Sequence, residues 1–136
     1  MKCIILAAGY ATRLYPLTEN FPKPLLDVCG KTILDRLIDD ISSSGDVDEF
    51  VTVTNHKFAP HFEKWADGRN NITVADDGTT SNENRLGAVR DIWFAAERCG
   101  INEDCMVIAG DNVLDFSLTR FINYFKLKER SCVMRY

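Results

Sequence analysis

The chain has 136 residues, a length that suits one domain burying about two-thirds of the surface its unfolded form exposes. Hydrophobic residues at 46% and charged residues at 26% are ordinary globular usage and exclude intrinsic disorder. Sixteen Lys and Arg against twenty Asp and Glu leave a formal charge of −4, which offers no positive field to a nucleic-acid backbone and excludes that partner.

Residues 2–7 form a short apolar run ended by Gly9, the pattern of a strand buried on both faces in a parallel sheet. With only about six apolar residues, the N-terminus is too short for a membrane span or a signal-peptide core, so a cytoplasmic protein with no membrane partner is expected. From Thr32 the positions Ile33, Leu34, Leu37, Ile38 and Ile41 recur at helical spacing, with Thr32 and Asp35 as an N-terminal cap pair and Gly45 as a stop. Residues 50–54 read as a strand from their β-branched content, followed by a short helix near 58–66 and a strand at 72–74. The polar stretch Asp76 to Asn84 is a loop. Leu86, Val89, Ile92, Trp93 and Ala96 mark one helix face ending near Gly100, and Cys105 to Ala109 is another buried strand, closed by Gly110-Asp111-Asn112. A last helix is expected over 117–129 with Leu118, Phe121, Ile122 and Phe125 inward, and Ser131 to Tyr136 begins like a further strand.

The five cysteines, Cys3, Cys29, Cys99, Cys105 and Cys132, include no C-x-x-C pair, and most lie in apolar segments; they read as reduced core thiols. His56 and His61 stand without cysteine neighbours and read as structural. No repeat or interdomain linker interrupts the alternation of strand and helix. It argues a Rossmann-like α/β/α sandwich with a mostly parallel sheet, a single unit over 1–136. Ligands of such sheets bind beyond the carboxyl ends of the strands, where residues 8–24 and 110–112 both fall.

The connection from Ala8 to Pro24 is far longer than the ~2–6 residues usual between a strand and a helix. Gly9 allows a tight turn that presents N–H groups, while Thr12, Arg13 and Lys23 add donors and positive charge suited to phosphate oxygens. The same composition also describes a solvated surface loop. It is neither a Walker A loop, which needs Gly-Lys-Ser/Thr, nor the dinucleotide fingerprint, which needs three glycines.

Leu6-Ala7-Ala8-Gly9-Tyr10-Ala11-Thr12-Arg13-Leu14-Tyr15-Pro16-Leu17-Thr18, followed by Pro22-Lys23-Pro24-Leu25-Leu26, resembles the signature of sugar-phosphate nucleotidyltransferases, L-A-A-G-x-G-T-R-L-x-P-L-T, a spacer and K-P-L. The resemblance implies that Gly9, Tyr10, Ala11, Thr12 and Arg13 wrap the β- and γ-phosphates of a nucleoside triphosphate. Lys23 would sit near the α-phosphate and the incoming phosphate, and Leu6, Ala7 and Ala8 would meet the base through their main chain. Asp111 matches the family's metal-binding aspartate and would hold Mg²⁺, with Asn112 orienting it; by itself Gly-Asp-Asn is equally a turn. Gly87 matches a glycine that lets the nucleotide approach the next helix. Asn82, Glu83, Asn84 and Arg85 are polar enough to read a base, but no glutamine stands there and the base stays open. Ala11 replaces the family's second glycine.

The activity implied is transfer of a nucleoside monophosphate to a sugar-1-phosphate with release of pyrophosphate, Arg13, Lys23 and Asp111 carrying catalysis. Alternatives are cytidylyl or uridylyl transfer to an alcohol phosphate such as choline phosphate, and a catalytically silent nucleotide-binding domain on the same fold. A glycosyltransferase would need the D-x-D motif that Gly110-Asp111-Asn112-Val113 lacks. Because the segment from Ser131 opens a strand without continuation, the chain reads as a truncated N-terminal half, with a free sheet edge that invites homo-oligomers.

Overall fold

Residues 1–135 are described by a computed structural model, and Tyr136 lies outside them. Strand β1 (Lys2–Leu6) is followed by the long loop and a small antiparallel hairpin, β2 (Asp27–Val28) and β3 (Lys31–Thr32). Then come α1 (Ile33–Ser42), β4 (Glu49–Thr54), α2 (Ala59–Ala66), β5 (Ile72–Asp76), α3 (Ala88–Arg98), β6 (Cys105–Ala109) and α4 (Thr119–Lys128). The four long strands form one wholly parallel sheet in the order β5-β4-β1-β6.

The alternation of side chains along β1 sorts the core into two layers. Cys3, Ile5 and Ala7 join Leu34, Leu37 and Ile41 of α1, Phe62 of α2 and Ile122 of α4 on one face. Ile4 and Ala8 join Val51 and Val53 of β4, Ala75 of β5 and Ala95 of α3 on the other. The α/β/α sandwich expected from the sequence is therefore present, with three helices on one side and α3 alone on the other. The Thr32 cap is present too: its hydroxyl accepts from the Asp35 N–H at 2.9 Å and donates to the Asp35 carboxylate at 2.7 Å. No helix of the described residues is long and apolar enough to cross a membrane.

Three expectations need correction. On α3, Val89 and Trp93 are 80% and 63% exposed, whereas Asp91 and Ala95 are buried. A charged and a small residue contribute no apolar signal, so the periodicity pointed to the wrong stripe. Residues 131–135 form no strand, and β6 pairs with β1 alone among the described residues. Cys132 and Met134 do turn partly inward in alternation, but without a neighbouring strand the pattern makes no ladder. Among the thiols only Cys3 is fully buried; Cys29 is exposed at φ 53° in the β2–β3 turn, and all five are free.

Gly110 closes β6 where it lies against the end of β1, its N–H donating to the Leu6 carbonyl at 2.9 Å. A Cβ there would stand 2.8 Å from Cγ2 of Ile5, a fully buried β-branched side chain with little freedom to move. Gly110→Ala is expected to destabilise the domain by about 1–3 kcal/mol through overpacking, measured by urea unfolding of the parent and variant.

Candidate functional site

The first loop begins with the sheet still holding it. The Ala7 N–H donates to the Val53 carbonyl at 2.8 Å, and the Ala8 carbonyl accepts from Asn55 Nδ2 at 3.0 Å. Asn55 is fully buried, and its Oδ1 accepts from the Phe58 N–H at 3.0 Å, so one side chain ties the loop to the start of α2. Sequence reading missed this residue. A buried amide just after a β-branched strand was the available signal.

Tyr10 turns inward, 4% exposed, and donates its hydroxyl to the Thr79 carbonyl at 3.1 Å. Only its main chain remains for a ligand. Ala11 takes the left-handed conformation, φ 46° and ψ 41°, at a cost of roughly 1–2 kcal/mol for a residue with a Cβ. The buried Thr18 hydroxyl donates to the Ala11 carbonyl at 2.7 Å, and the Leu14 N–H donates to the same oxygen at 3.0 Å. Alanine thus follows the path a glycine would take. Thr12 and Arg13 stand exposed on the short 3-10 turn that follows, and Arg13 forms no ion pair among the described residues.

Two positions far apart in sequence meet at the strand ends. Lys23, on the 3-10 turn Lys23–Leu25, donates its ammonium to Asp111 Oδ2 at 3.2 Å across 88 positions. The pair belongs to a cavity of about 200 Å³ whose other walls are Leu6, Ala7, Gly9, Ala11 and Pro24. Six of the residues singled out from the sequence therefore line one space. Ala8, Tyr10, Thr12, Arg13 and Gly87 do not line it. A larger hollow of about 560 Å³ lies elsewhere, between β6, α4 and residues 131–134, walled mostly by apolar side chains; Asn112 faces it.

Gly87 caps α3 at φ 87° and ψ 156°, a region open to glycine alone, while a Cβ there would meet nothing within 4 Å. The requirement is one of backbone conformation and not of space. In the preceding loop Asn84 Oδ1 accepts from the Thr80 and Ser81 N–H groups, and Arg85 donates to Asn82, so these side chains hold one another. The buried carboxylates nearby, Asp77 and Asp91, were not read from the sequence. His56 pairs with Asp76 at 2.6 Å, which raises its pKa, and His61 packs edge-on against Phe21. Among the described residues, three or more His, Cys, Asp or Glu side chains never gather as a metal cluster would require.

Comparison with known proteins agrees with this geometry. The profile of the nucleotidyl transferase family matches residues 2–135. A protein of Sulfolobus acidocaldarius, provisionally named a mannose-1-phosphate guanyltransferase, is 30% identical over 131 residues, which are 94% of this chain and 34% of that one. The fold is shared with a Bacillus anthracis protein described provisionally as a glucose-1-phosphate thymidylyltransferase and solved with sucrose. The TM-score is 0.80 at 21% identity, over 95% of this chain and 51% of that one. HddC from Yersinia pseudotuberculosis, solved with GMP-PN, superposes with a TM-score of 0.69 at 25% identity, over 91% and 53%. The chain spans about a third of that curated relative and about half of the solved chains. With the profile match running over nearly every residue, and the loop and Asp111 brought to one cavity, this chain belongs to the nucleotidyl transferase family.

Proposed function

We propose that the chain is the nucleotide-binding part of an enzyme that moves a nucleoside monophosphate from a triphosphate to a sugar-1-phosphate, releasing pyrophosphate. The observation that carries this reading is the Lys23–Asp111 pair on the wall of a cavity built from the Gly9 loop. The matched proteins named for activities are sugar-phosphate guanyl- and thymidylyltransferases, so likeness supports the reaction class and leaves the base undecided.

In this reaction an oxygen of the sugar phosphate attacks the α-phosphorus, forming one P–O bond as the bond to the pyrophosphate oxygen breaks. Such chemistry is helped mainly by positioning and by neutralising charge on the phosphate oxygens. Gly9 to Ala11 present main-chain N–H groups, and the unpaired Arg13 is free to turn its guanidinium to the leaving pyrophosphate. Lys23 acts as a point charge beside the α-phosphate. Asp111 fits a role in holding Mg²⁺: its side chain is 48% exposed on the cavity wall, and a single carboxylate suits a cation that takes most of its oxygens from phosphates and water. Bound magnesium would supply further positive charge to the phosphates. Lys23 then leaves Asp111 for the phosphate, so the ion pair holds both groups ready before the substrate arrives.

Arg13→Ala is expected to weaken triphosphate binding about 10–100-fold, roughly 1.5–3 kcal/mol, with an unchanged melting curve. Isothermal titration decides it, and an unchanged Kd would remove the loop from the site. Asp111→Asn should erase the difference between titrations with magnesium and with a chelator, because the amide keeps the shape and loses the charge. With one carboxylate at the cavity, the 136-residue chain should bind a triphosphate yet release pyrophosphate slowly across a panel of sugar-1-phosphates. Rapid turnover in a pyrophosphate-release assay would refute that expectation.

A further inference from the structure

Two buried carboxylates lie outside the cavity just described, and no step above uses them. Asp91 stands in the first turn of α3, 6% exposed, with its N–H bonded to the Gly87 carbonyl at 3.0 Å. One turn later Ala95 packs against Ile4, Ala8, Val51 and Val53, and residues four apart share a helix face. Asp91 is therefore directed at the carboxyl ends of β1 and β4. Asp77 follows β5, its N–H bonded to the Thr54 carbonyl at 2.9 Å, and its Oδ1 accepts from the Thr79 N–H and hydroxyl, each at 2.7 Å.

The remaining atoms are the anomaly. Asp77 Oδ2 and Asp91 Oδ1 are both buried and neither receives a hydrogen bond. Neither carboxylate forms an ion pair among the described residues. The two are close enough that burial first, and the Asp77 charge second, push the Asp91 carboxyl up to about 6. Burying a carboxylate without a donor is unfavourable, and the α3 face would accept an apolar residue there without loss. Nothing in the packing accounts for two spare acceptors side by side, which is the arrangement of a site awaiting donors.

The position narrows the ligand. These carboxylates adjoin Ala8 and Gly87, which the proposed function puts against the base. Guanine offers adjacent N1–H and N2–H donors, a match for a carboxylate accepting two bonds. Uracil and thymine place carbonyl oxygens on both sides of a single N–H, which a carboxylate repels. Adenine and cytosine set a bare ring nitrogen beside their amino group. We propose that Asp91, backed by Asp77, is the specificity-determining residue of the base site and selects guanine through its N1–H and N2–H. The proposal rests on the nucleotide-binding reading.

The test is calorimetric titration of the 136-residue chain with GTP, UTP, dTTP, CTP and ATP in magnesium buffer, for the parent, Asp91→Asn and Arg13→Ala. The parent should bind GTP at least tenfold more tightly than UTP or dTTP. Asp91→Asn should lose at least tenfold for GTP and gain for UTP, since an amide donates to a uracil carbonyl and accepts from N3–H. Arg13→Ala should weaken all five alike. Without ligand, Asp91→Asn should melt at a higher temperature than the parent at pH 7. A carboxyl whose pKa is raised on folding costs stability as pH rises from its unfolded value near 3.8 through about 6, and the amide escapes that cost. No GTP preference in the parent, or an unchanged GTP-to-UTP ratio in Asp91→Asn, overturns the proposal while leaving nucleotide binding intact. Failure of every triphosphate to bind overturns both readings.

Discussion

The site depends on how closely β1 and β6 end beside one another. Their parallel register pairs Leu6 with Ala109, and the Gly110 N–H continues it by donating to Leu6. Because Gly110 lacks a side chain, the two strands finish at the same level with Ile5 packed beneath. The next residue along β1 enters the Gly9 loop, and the next along β6 is Asp111. A shift of one residue would turn the carboxylate to the other face of the sheet and away from Lys23.

Around that junction the loop is held by groups that are not on offer to a ligand. Asn55, Thr18 and the Tyr10 hydroxyl each fix main-chain atoms of the loop or its surroundings, and all three residues are buried. They keep Ala11 in a conformation that alanine does not choose by itself. The loop's main-chain donors are thereby arranged before binding, which lowers the ordering cost of binding. The groups suited to charged oxygens, Arg13, Lys23 and Asp111, are by contrast partly or fully exposed. Rigid support beneath and mobile charge above is what charge neutralisation during group transfer requires.

The opposite face of the sheet is organised differently. There α3 stands alone, and in its first turn it sets a carboxylate where the rest of its stripe carries apolar residues such as Ala95. Gly87 allows that helix to start at an angle unavailable to other residues, which brings the first turn over the strand ends. Phosphate chemistry and base reading would then lie to either side of β1, the former on the Lys23–Asp111 pair and the latter on α3.

Much of this was legible in one dimension. Continuous apolar runs at residues 2–7 and 105–109, helical spacing from Ile33 to Ile41, and the Thr32–Asp35 cap are local patterns set by periods of two and 3.6 residues. They determined the alternating α/β architecture, and the ordered match from Leu6 to Leu26 located the loop. Tertiary structure alone decided the rest, because it turns on contacts between residues distant in the chain. The sheet order, the 88-residue step from Lys23 to Asp111, and the inward side of α3 are examples. Asp91 is the sharpest case: in sequence it is one charged residue among many in an amphipathic helix, and only the packing of Ala95 onto β1 and β4 buries it beside Asp77 with an oxygen unpaired.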